Sequence, residues 1–95
     1  MRNDNDENEE IKIRAVGAVF AVKEDSLVIL EKDGPEDKPV GVIKFREIKD
    51  IAIKPAGMLY DGEVSFLLKN GGAIKYKIKK FHQEDFEELK KQLGK

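Results

Sequence analysis

Between Lys69 and Lys80 the chain carries five lysines and no acid: Lys69, Lys75, Lys77, Lys79 and Lys80. Cations gathered on one strand face attract phosphate headgroups, acidic protein surfaces or nucleic-acid backbone, so these five are the candidate anion-binding residues. The simpler use of the pattern is protective, because lysines on an exposed strand keep sheets from pairing edge to edge. Five cations are few for a nucleic-acid binding domain, and no specific nucleic-acid partner is expected. A second group is apolar. Met58, Leu59 and Tyr60 stand between the Pro55-Ala56-Gly57 break and the Asp61-Gly62 turn. Folding back as a plug into the core is the simpler outcome for them. The alternative is a partner-facing tip, since exposed apolar clusters are uncommon on monomers and mark interfaces. They are the candidate protein interface, and a protein partner or self-association is what such a tip would serve.

Covalent and acid–base chemistry find little to work with. His82 is the only histidine. As a general base it needs a partner in a cleft, and the nearby Glu84 and Asp85 are explained more simply by a helix dipole. The aliphatic hydroxyls are Ser26 and Ser65, and neither lies in a G-x-S-x-G turn. Neither phosphate-binding glycine motif is present. The absence of cysteine removes disulfides and thiolate metal sites. The acidic run "DNDENEE" lacks the glycine of a calcium-binding loop. No catalytic residue, metal ligand or cofactor is expected, and the chain does not read as an enzyme.

Ninety-five residues suit one domain. Charged residues make up 39% and aromatics 7%, which describes a heavily solvated surface over an aliphatic core. The net charge of −1 hides an asymmetry. Residues 1–10 hold one base and five acids, net −4, and the other 85 hold 17 bases and 14 acids, net +3. With one apolar residue in ten, the first segment cannot offset its ordering entropy by burial, so a disordered acidic arm is expected before a domain spanning 11–95. Neither an export signal nor a run of 18 apolar residues is encoded, and a cytoplasmic setting is expected.

The elements that must position these residues are mainly strands. From Ile11 to Lys80 the apolar period is two, over 11–22, 27–32, 40–45, 51–53, 63–69 and 73–79. Asn70-Gly71-Gly72 is a hairpin turn between the last two runs. Pro35 and Pro39 are expected to keep residues 33–39 out of any ladder. In the last run Ile74, Tyr76 and Ile78 share one face, leaving Lys75, Lys77 and Lys79 on the other. After Phe81 the period lengthens. Phe86, Leu89 and Leu93 form one helical stripe that can close the end of a barrel, with Gly94 as its C-terminal cap. Six or seven short strands and one C-terminal helix describe a mainly β fold, a sandwich or barrel.

Three features together resemble a family. They are the Ile48–Ile51 corner, the Lys54-Pro55-Ala56-Gly57 break and the strand opening Gly62-Glu63-Val64-Ser65-Phe66. Their order, after a first hairpin "AVGAVFAVKEDSLVILEKDG", is similar to a bacterial family of unknown function with a pleckstrin-homology-like (PH-like) fold. The resemblance implies a PH-like antiparallel β-barrel or split barrel of six or seven strands capped by the helix. Taken with the residues, the expected function is a non-catalytic binding or assembly module that binds protein or self-associates, with anion-directed binding to a membrane surface or nucleic acid through the lysine stripe as the alternative. Phosphoinositide binding of the eukaryotic type is not expected: Lys12 and Arg14 are present, but Glu24 and Asp25 follow Lys23 and would repel phosphates.

Overall fold

Period-two burial builds seven strands in a computed structural model that describes residues 11–95; the acidic stretch 1–10 lies outside the described residues. Strands β1 (Ile11–Ala15), β2 (Ala18–Val22), β3 (Ser26–Asp33) and β4 (Glu36–Lys44) form one antiparallel sheet in that order. A 3-10 turn at Phe45–Glu47 leads into a second antiparallel sheet, β5 (Ile48–Lys54), β6 (Gly62–Leu68) and β7 (Ala73–Ile78). Helix α1 (Lys80–Gln92) follows directly. No ladder joins the sheets, so they do not close into a continuous barrel. They touch at a corner, where the Val16 N–H donates to the Lys77 carbonyl at 2.8 Å.

The two prolines do not stop the ladder, contrary to the sequence expectation. β4 starts at Glu36, which pairs with Asp33 across a turn where Gly34 takes φ +68°, as the first central position of a tight hairpin requires. Pro39 pairs with Leu30 beside a register shift at Ile29/Leu30. β4 is an edge strand, where a residue without an N–H costs no ladder bond. The Asn70-Gly71-Gly72 hairpin forms as read: Gly71 has φ +96°, and the Asn70 side-chain oxygen accepts from the Gly72 N–H at 2.8 Å.

The core lies between the sheets. Ile13, Phe20, Leu27, Ile29 and Ile43 come from the first, and Ile48, Ile51, Val64, Phe66 and Ile78 from the second. Three fully buried rings join three elements at the centre. Phe20 of β2 lies 5.2 Å from Phe66 of β6 and 5.5 Å from Phe86 of α1, centroid to centroid. The helical stripe therefore packs where its spacing placed it, with Phe86 and Leu89 buried and Leu93 packed against the cluster. The helix ends in a Schellman arrangement: the Lys95 N–H reaches the Lys90 carbonyl and the Gly94 N–H that of Lys91, with Gly94 at φ +70°. Its last turn is tied to β5 by Lys90, whose ammonium donates to Asp50 Oδ1 at 2.9 Å and to the Ile51 carbonyl at 2.6 Å. That ammonium, ahead of the Ile51 N–H, holds the Asp50 carboxyl below its ordinary range.

Alternation along β7 places Tyr76 inward and half-buried. Its ring meets Phe20 edge-on at 5.3 Å, and its hydroxyl donates to Glu31 Oε2 of β3 at 2.6 Å, a bond from one sheet to the other. Burial, then the Glu31 hydrogen bond, push the hydroxyl up to about 12. Below pH 10 the phenol is neutral folded and unfolded, and the bond's contribution is fully present. Above it the unfolded chain ionises first, so that contribution falls between pH 10 and about 12. The urea midpoint of the protein should exceed that of Tyr76→Phe at pH 8, and the gap should close through this window; a constant gap would remove Tyr76 from the account. Leu89→Ala should cost about 2–4 kcal/mol in urea unfolding, the usual range for a buried leucine. A loss below about 1 kcal/mol would mean that α1 is not seated on the core.

Candidate functional site

The five lysines do not form one patch. Lys69 follows the end of β6, in the hairpin turn, and its N–H donates to the Glu47 carbonyl. Lys79 follows the end of β7, opposite the start of β6 at Gly62. A full strand length, roughly 20 Å, therefore separates Lys69 from Lys79. Lys75 and Lys77 are exposed on the outer face of β7. There Glu63 stands directly across the ladder from Lys77 and, on its other side, from Lys54, an acid between two cations. Lys79 pairs with Asp61 at 2.9 Å. Lys80 opens α1, in a first turn that holds no acid.

The apolar residues behave differently. Met58 is 90% exposed, Leu59 96% and Tyr60 66%. They do not plug the core, which α1 completes with Phe86 and Leu89. A fourth large apolar side chain joins them: Phe81, at the start of α1, is 78% exposed and lines the same open hollow as Met58, Leu59, Tyr60, Lys79 and Lys80. Sequence reasoning missed Phe81. The signal was available, since position 81 lies roughly a third of a turn away from the Phe86, Leu89 and Leu93 stripe and has no core to enter.

This tip is held rigidly. The Gly57 N–H donates to the Tyr60 carbonyl at 3.0 Å, turning the chain at Met58 and Leu59. A β-carbon on Gly57 would sit 2.5 Å from the Tyr60 ring, so glycine lets the ring fold over the turn. At the base of the loop, the Ala56 N–H donates to Gln83 Oε1 of α1 at 2.9 Å, and Gln83 is fixed in turn by donating to Glu87. The Lys79–Asp61 pair makes a second tie to the start of the helix. The Gln83 tie spans 27 positions and leaves no local trace in the sequence.

The His82 ring lies beside that of Phe81, tilted by 58° with centroids 4.5 Å apart, and its Nδ1 lies 3.9 Å from Asp85 in the same helix. Ser26 and Ser65 are buried in β3 and β6. Among the described residues no cluster of His, Asp or Glu side chains could hold a metal ion. No described helix is long and apolar enough to cross a membrane. Comparisons with family models, with curated proteins and with solved structures return no match, so the function has to be argued from this geometry.

Gly62 is the residue on which the tip depends. A β-carbon there would come 2.3 Å from the Lys54 carbonyl oxygen and 2.7 Å from the Ala56 nitrogen, both backbone atoms. Gly62→Ala should therefore force the loop open and lower stability by about 1–3 kcal/mol. Gly57→Ala meets only a side chain that can swing aside, and should cost less than half as much. Equal losses in chemical denaturation would show that the close approach at Gly62 does not fix the loop.

Proposed function

We propose that this domain is a non-catalytic docking module, and that it engages its partner through the tip at residues 57–61 together with Phe81. The observation that carries the proposal is the exposure, from 66% to 96%, of four large apolar side chains gathered around one loop and the adjoining start of α1. Apolar side chains scattered singly on a surface are ordinary, but a cluster of four is not. Leaving Met and Leu in water forgoes about 1.5–3 kcal/mol each. The loop nevertheless holds them there with two space-limited glycines and two ties to the helix.

A PH-like split barrel is the scaffold this reading adopts. Four strands, then three, then one helix packed on the core support it. The resemblance at Ile48–Phe66 makes a bacterial, cytoplasmic setting part of the same reading. The non-catalytic part rests on the placement of the reactive groups: His82 faces Phe81 and Asp85 on its own helix, and both serines sit within strands. The lysines of β7 serve in this reading as edge protection, since Glu63 interrupts them and Lys69 lies apart.

Site-specific photo-crosslinking tests the tip while its partner is still unidentified. A photoreactive residue at position 59, in cells that produce the protein, should give an adduct that the same residue at exposed position 49 does not. Adducts to neither protein nor lipid at position 59, or equal adducts at both positions, would end the docking proposal.

A further inference from the structure

The four exposed side chains surround one open hollow, Met58, Leu59 and Tyr60 from the loop and Phe81 from the start of α1, and cations outnumber acids around them. Lys54 ends β5 just before the loop, Lys79 ends the β7–α1 junction just after it in space, and Lys80 stands next to Phe81. Asp61 is the one acid in the loop, and it is occupied by Lys79. Glu63 stands across the ladder from Lys54, so three cations against two acids leave the flank of the tip at +1. Among the described residues, Lys54 and Lys80 form no ion pair. Lys80 also sits at the positive end of the α1 dipole, where a cation is mildly disfavoured by its own helix. The hollow on the other side of Phe81 adds Arg14 and Lys32 against Asp37.

Resting on the docking reading, we infer that the partner is an anionic lipid surface, entered by Met58, Leu59, Tyr60 and Phe81 and held by Lys54, Lys79 and Lys80. A protein partner would need a pocket shaped to receive a protrusion that exposes Leu59 at 96%. A bilayer needs none, because its interface deforms around apolar side chains that enter about 5–10 Å. Tyrosine suits this depth, having an apolar ring and a polar tip. Lysines at the base of the loop then meet the headgroups, their alkyl stems lying along the apolar region. A second copy of the chain is the weaker fit, since two such tips would bring their positive flanks together.

The probe is a suspension of phosphatidylcholine vesicles, with and without about 30% phosphatidylserine, at about 50 mM salt. The full chain should sediment with the anionic vesicles and be released as salt rises. Met58→Ser with Leu59→Ser should lower the partition coefficient more than about tenfold without changing the melting temperature, because these side chains touch no core residue. Lys54→Gln and Lys80→Gln should each cost about fivefold, and Lys69→Gln, a strand length away, less than about twofold. The chain has no cysteine, so Met58→Cys carries a unique polarity-sensitive label. Its emission should shift to the blue on anionic vesicles, and a label at Lys69→Cys should not. Failure to bind anionic vesicles at low salt, or binding that ignores the Met58 and Leu59 changes, overturns the lipid partner. A protein adduct at position 59 with no vesicle binding overturns it too, but leaves the docking reading standing.

Discussion

Everything in this fold hangs on the contact of three phenylalanine rings. Phe20, Phe66 and Phe86 come from the first sheet, the second sheet and the helix, and all three are fully buried. With no ladder between the sheets, side-chain packing and a few isolated hydrogen bonds hold them face to face. Aromatic rings suit that role, because each buries a large area and the tilted and edge-on arrangements seen here are the favourable ones. The Tyr76–Glu31 bond and the Val16–Lys77 bond then fix how the sheets are aligned.

That packing explains why the tip is outside. A loop of Met, Leu and Tyr joining two strands would ordinarily be drawn into a core with room for it. Here α1 completes the core with Phe86 and Leu89, and the Lys90 clamp and Schellman end secure its far turn. The same helix carries Gln83, which grips the base of the loop, and Phe81, which extends the apolar surface. One side of α1 completes the core and its first turn completes the tip.

How much of this was legible in the sequence depends on the range of the forces involved. Period-two alternation located most of the strands, and the Phe86, Leu89 and Leu93 spacing located the helix face, because burial on one side is a local pattern; the run read over 11–22 instead breaks into β1 and β2 at Val16 and Gly17, where Gly17 takes φ +79°. The prolines misled: Pro39 excludes a ladder only where its missing N–H would face a neighbouring strand, and whether β4 is an edge is a property of the whole sheet. The lysine run misled in a similar way. Five cations close in sequence look like one patch, but Lys69 and Lys79 stand at opposite ends of a hairpin, and Glu63 enters between Lys54 and Lys77 from another strand. The fate of Met58 and Leu59 was undecidable locally. It depended on whether a helix further along the chain would occupy the space beneath them.

The stiffness of the tip bears on what it can bind. A flexible apolar loop would lose conformational freedom on meeting any partner, and that loss would oppose binding. Here backbone contacts made on folding limit that loss: Gly62 packs against the backbone of Lys54 and Ala56, and the Gly57–Tyr60 bond closes the turn. Lys54 and Lys80, which form no ion pair among the described residues, are on the scaffold at strand and helix ends. Affinity would then follow the number of apolar side chains entered and charges met, with little offset for reorganisation. A partner presenting a broad, yielding anionic surface gains the full benefit of such a rigid wedge, whereas a shaped protein pocket would use its rigidity only at a single orientation.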